Sequence, residues 1–61
     1  MWLTDLQKAI TILLDRGYNE TLVEKVVPSG DSNILAIFFT TYHTRMCVYK
    51  SGLIAEYDNM N

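Results

Sequence analysis

The chain has 61 residues and a mass of 7.0 kDa, which allows one small domain spanning 1–61. At 49% hydrophobic and 20% charged residues it is too apolar for a disordered segment, and with 3 Gly, 1 Pro and 1 Cys it is neither a collagen nor a disulfide scaffold. The net charge of −2 rests on seven acids and five scattered cations, Lys8, Arg16, Lys25, Arg45 and Lys50, a balance that disfavours general binding to a nucleic-acid backbone.

The first segment reads as a helix over 4–16. Thr4 is a good N-cap, Gln7 three residues on completes a capping box, and Asp5 suits the positive end of the helix dipole. Leu3, Leu6, Ile10, Leu13 and Leu14 recur at helical spacing and form the expected core stripe. Gly17 is placed to end the helix in the left-handed conformation, with Tyr18 packing back on Leu13. Ile12 falls on the far side with Asp5, Lys8 and Arg16, while Trp2 and Ala9 lie between the two faces. Ile12 is either an isolated exposed aliphatic or, with Trp2 and Ala9, an extension of the apolar surface toward a second chain.

Asn19-Glu20-Thr21 matches a glycosylation sequon and reads here as a turn. The remaining elements are strands at about 21–27, 34–42, 45–50 and 53–57, followed by a polar tail at 58–61 that frays. A dense turn cluster, Pro28 to Asn33, separates the first two, His43-Thr44 breaks the next pair, and Ser51-Gly52 is a two-residue hairpin loop. Short connections require an antiparallel meander, and one helix covers one of its faces. The expected fold is therefore α+β in two layers: an N-terminal helix on a three- to four-stranded antiparallel sheet.

The central strand carries apolar residues on both faces at its start: Ile34, Ala36 and Phe38 on one, Leu35, Ile37 and Phe39 on the other. A half-solvated sheet alternates apolar with polar. One short helix cannot cover two faces, so a second molecule is expected to supply the missing layer. The alternative is that long neighbours such as Lys25, Tyr49 and Tyr57 fold over that face.

Catalytic chemistry is sparse. His43 and Cys47 are the only histidine and the only cysteine, and on an extended strand they would stand about 13 Å apart. Glu56 and Asp58 are too few oxygen donors for a calcium site, one His and one Cys are too few for zinc, and no glycine-rich phosphate loop occurs. No enzyme activity, cofactor or metal is expected. Asp5 and Lys8 interrupt the apolar run a secretory signal needs, and Cys47 reads as a small reduced core residue, both pointing to the cytoplasm. The longest uncharged stretch, between Asp31 and Arg45, is too short to span a bilayer.

The expected role is thus a small acidic protein–protein interaction module, self-associating as a homodimer or higher oligomer and engaging another protein as well. Trp2, Ile12, Phe38 and Phe39 are its candidate interface residues. In size and charge it looks like the inhibitors of host machinery encoded by phages and mobile elements, whose acidic surfaces occupy basic grooves. An alternative gathers Tyr42, His43, Arg45, Tyr49 and Lys50 at one end of the central hairpin as a surface for RNA or single strands. Val48-Tyr49-Lys50, with a leading helix before the strands, resembles the Sm-like RNA chaperones, which form rings; that resemblance implies a five-stranded bent sheet and RNA binding. The chain departs from that family's pattern at Ser51-Gly52, where a histidine would follow. A further alternative is a structural subunit of a larger assembly.

Overall fold

The computed structural model describes residues 2–41 and 43–58. The chain folds as α1 (Trp2–Asp15), a single 3₁₀ turn (Glu20–Leu22), β1 (Val23–Val27), β2 (Ile34–Thr40), β3 (Thr44–Tyr49) and β4 (Ile54–Asp58). The four strands form one antiparallel sheet in the order β1-β2-β3-β4, and α1 lies against one face. The expected α+β two-layer arrangement is the one observed.

Several boundaries differ from the sequence reading, each for a local reason. The helix is already formed at Trp2, so Thr4 lies inside it and is not an N-cap. Trp2 packs against the core, which anchors a turn that propensity alone would let fray. The other end is as expected: Tyr18 N–H donates to Leu13 O (3.0 Å), Gly17 N–H donates to Leu14 O (3.0 Å), and Gly17 has φ of +86°. This is a Schellman cap. The start of the expected first strand winds instead into the 3₁₀ turn, because the Asn19 side chain accepts from Thr21 N–H (3.0 Å) and from its hydroxyl (2.7 Å). The β3–β4 connection holds four residues, 50–53, not two. Tyr49 N–H donates to Leu53 O (2.8 Å), Gly52 N–H donates to Tyr49 O (2.9 Å), and Gly52 carries the left-handed φ of +93°. Asp58 belongs to β4, and the rest of the expected tail, together with Tyr42, lies outside the described residues.

The helix also sits differently on the sheet. Its buried positions are Ala9 and Leu13, with Trp2, Leu6, Ile10 and Ile12 packed partly against the core, while Leu3 and Leu14 are 66% and 49% exposed. Apolar residues occupy more than half of the helix circumference, so their pattern marks an apolar side without selecting which edge meets the sheet. Trp2 and Ile12 accordingly serve the chain's own core. No helix among the described residues is long and apolar enough to cross a membrane.

Cross-strand register settles which residues share a face, since directly opposed residues point to the same side. Val26, Phe38, Met46 and Glu56 form one row across all four strands; Ala36, Val48 and Ile54 form the next. These rows face α1. Phe38 is 3% exposed and belongs to the core with Leu35, Ala36, Met46 and Val48, so it is not an interface residue. A register shift between Ile34 and Ala36 turns Leu35 inward beside Ala36. The bulge thus exchanges two apolar residues between the faces: Leu35 joins the core, and Ile34, opposite Tyr49, moves to the second face.

On the helix side, the Tyr18 hydroxyl donates to Glu56 Oε2, tying the helix terminus to β4. That hydrogen bond, reinforced by partial burial and the Glu56 charge, raises the Tyr18 pKa above the ordinary tyrosine value. The folded state therefore favours the protonated phenol. Its stabilisation is present below pH about 10 and is lost as pH rises through the higher folded value. We expect the Tm of the chain to fall more steeply above pH about 10 than that of Tyr18→Phe. Parallel alkaline melting curves would remove this contribution.

Candidate binding face on the open side of the sheet

The face turned away from α1 is built by the alternate residues of the same strands. Lys25 opposes Phe39, Phe39 opposes Arg45, and Arg45 opposes Tyr57. The four residues form one unbroken row, one from each strand, in which cation and aromatic ring alternate. Beside it runs an apolar row, Val27, Ile37, Cys47 and Ala55. Adjacent strands stand about 4.8 Å apart, so each row is about 14 Å long.

The side chains of the first row engage one another. Lys25 Nζ lies over the Phe39 ring, 5.1 Å from its centroid, and Arg45 Cζ lies at the same 5.1 Å over Tyr57. Tyr49, at the far end of β3, shares a hydrogen bond with Tyr57; that bond, followed by charge coupling to Tyr57, raises the Tyr49 pKa. Cys47 is thereby 6% exposed, while Ile37 and Phe39 remain half-buried and Tyr57 is 43% exposed. Long neighbours do fold over this face, as the alternative reading of the sequence held, yet they leave aromatic and cationic surface at its top. Arg45 Nε is buried and has no hydrogen-bond partner among the described residues.

None of the residues in these two rows is acidic. Glu56 and Asp58 oppose Met46 and Thr44 and so belong to the other face. The two rows are cationic on a chain whose net charge is −2, with the exposed Glu24, the extra residue of the register shift between Val23 and Lys25, beside them at the sheet edge.

Of the residues grouped at the sequence level for nucleic-acid contact, only Arg45 and Tyr49 share this face. His43 is exposed in the β2–β3 turn with φ of +59°, Lys50 is exposed in the β3–β4 turn at the opposite end of β3, and Tyr42 lies outside the described residues. The six-residue strand between the two turns separates them by roughly 20 Å. Of the two phenylalanines named as interface candidates, Phe39 is on the open face and Phe38 on the helix side. Sequence reasoning treated Lys25 and Tyr57 only as cover and did not find the row they complete.

The remaining concavities offer less. A groove of about 790 Å³ runs between the Lys8–Thr11–Ile12 edge of α1 and Leu35 and Lys50. It is open and mixed in polarity. His43 and Cys47 are not brought together: one is exposed in a turn, the other buried within β3. Among the described residues no three His, Cys, Asp or Glu side chains are placed to hold a metal ion. The four-stranded sheet is one strand short of the five that the Sm-like resemblance implied. Comparison with family models, with characterised proteins and with solved structures finds no match.

Proposed function

We propose that the chain is a small protein-interaction module that docks a partner protein on the open face of its sheet. The observation that carries this reading is the Lys25–Phe39–Arg45–Tyr57 row set against the apolar Val27–Ile37–Cys47–Ala55 row. Aromatic residues and arginine dominate the binding energy of protein interfaces, and an apolar centre beside them supplies area removed from water.

The charge on this face bears on which partner it takes. Stacking two copies through it would bring Lys25 and Arg45 of both together with no carboxylate from either pair of rows. Like charges gathered in a desolvated interface oppose association. Self-association is better served by the uncharged helix strip of Leu3, Ile10 and Leu14, two of which are well exposed. Three side chains fall short of the roughly 800 Å² per partner of a stable interface. The expected result of light scattering on a sizing column is therefore a monomer of 7.0 kDa at low micromolar concentration. A discrete dimer that Phe39→Ser dissociates would place a second copy on the open face and overturn the foreign-partner reading.

The alternation of cations and rings also favours a second reading, a single-stranded nucleic-acid surface. Against it, one side of both the Phe39 and Tyr57 rings already carries a cation, which leaves fewer ring faces for bases. Fluorescence anisotropy with labelled oligo-dT at low salt, showing binding that falls steeply as salt is added, would favour it over protein docking.

A further inference from the structure

We propose that Arg45 is the anchor of the open face and receives a single carboxylate, an Asp or Glu side chain, from the partner protein. The inference rests on the docking reading above and names the chemistry that face recognises. Arginine presents five N–H donors in a planar fork matched to a carboxylate. Among the described residues those donors have no carboxylate directly across the strands from them. The direct cross-strand neighbours of Arg45 are Phe39 and Tyr57, and its diagonal neighbours on the same face include Ile37 and Ala55. The guanidinium is held by stacking over Tyr57, which places the side chain without using its directional donors. Nε is buried and has no acceptor among the described residues, an uncommon state for a charged group's donor. Nε is closed off from solvent, so an incoming carboxylate meets the outer nitrogens of the guanidinium.

The surroundings restrict what carries the carboxylate. Val27, Ile37 and Ala55 beside the row ask for apolar side chains next to it. The chain as a whole is net negative, with Glu24 exposed beside Lys25 at the edge of the sheet. A run of acids or a phosphate backbone is repelled by that field, whereas one carboxylate within an apolar or mixed segment meets Arg45 at contact distance, where screening matters least. The partner is therefore a protein segment with an isolated acid flanked by apolar residues, and not a polyanion.

The test pans a library of random twelve-residue displayed peptides against the immobilised folded chain. A synthetic copy of the enriched sequence is then titrated while amide, ring and Arg45 Nε–Hε resonances are followed by NMR. The expected consensus holds one Asp or Glu beside apolar residues, and its binding moves Ile37, Phe39, Tyr57 and the Arg45 Nε–Hε signal. Changing that acid to its amide, or Arg45→Gln in the chain, weakens binding by about tenfold or more, and Lys25→Gln weakens it less. Tyr57→Leu, which keeps Arg45 but removes its stacking platform, gives an intermediate loss, and unchanged melting curves confirm that the variants fold. Peptides that bind the open face with no requirement for an acid would overturn the Arg45 inference and leave the docking reading standing. Enriched peptides that map to the helix side, binding by oligo-dT alone, or no enrichment at all would overturn both.

Discussion

Replacing Phe38 by alanine is expected to cost about 3–5 kcal/mol of folding stability, while the same change at Phe39 costs about 1–2 kcal/mol. The two residues are adjacent and chemically identical; the sheet separates them. Phe38 is 3% exposed within the core cluster, and Phe39 is half-buried on the open face beneath Lys25. A domain of this size has roughly 3–9 kcal/mol of total stability, so Phe38→Ala leaves much of the chain unfolded at room temperature. Urea denaturation of the two variants measures the difference directly. Equal losses would mean that both faces of β2 are covered.

The second large effect comes from adding volume rather than removing it. Ala9 is fully buried where α1 meets the sheet, in one cluster with Leu13, Ala36 and Val48. Leucine has nearly the helix propensity of alanine, so Ala9→Leu leaves the helix itself intact. The extra methylenes have no space and push the helix off the strands, at about 1–3 kcal/mol. Leu14→Ala takes the same three carbons away from the same helix but at a position 49% exposed, and its cost is smaller. Thermal melts of the two variants order them. A greater loss at Leu14 would restore the Leu3–Leu14 stripe as the buried edge.

The element order, the antiparallel meander and the two-layer arrangement were legible because they follow from local signals: β-branched runs, a turn cluster at Pro28–Asn33, and Gly17 and Gly52 at positions that take positive φ. What was not legible depends on geometry between elements. The apolar arc of α1 runs from Ile12 around to Leu14, so periodicity placed Leu13 in the core but could not say that Trp2 and Ala9 would turn toward the sheet while Leu3 and Leu14 turned away. The bulge at Ile34–Ala36 has no glycine to announce it, yet it moves Leu35 from one face to the other. Arg45 was picked out for its type, but its significance comes from register. Only the pairing of four strands puts Lys25, Phe39, Arg45 and Tyr57, drawn from positions 32 residues apart at the extremes, in one line. The odd-numbered alternation of Arg45, Cys47, Tyr49, Ala55 and Tyr57 was a signal in the sequence that could have found half of it.

The central claim is that α1 covers one face of the sheet and leaves the other open to a partner. It is tested most directly by solvent paramagnetic relaxation of side-chain protons, using a soluble gadolinium chelate on the intact chain. The account predicts strong broadening at Phe39, Ile37, Ala55 and Tyr57 and weak broadening at Phe38, Ala36 and Val48. Equal protection of Phe38 and Phe39 would contradict it, since the open face would then already be occupied in the chain as it stands.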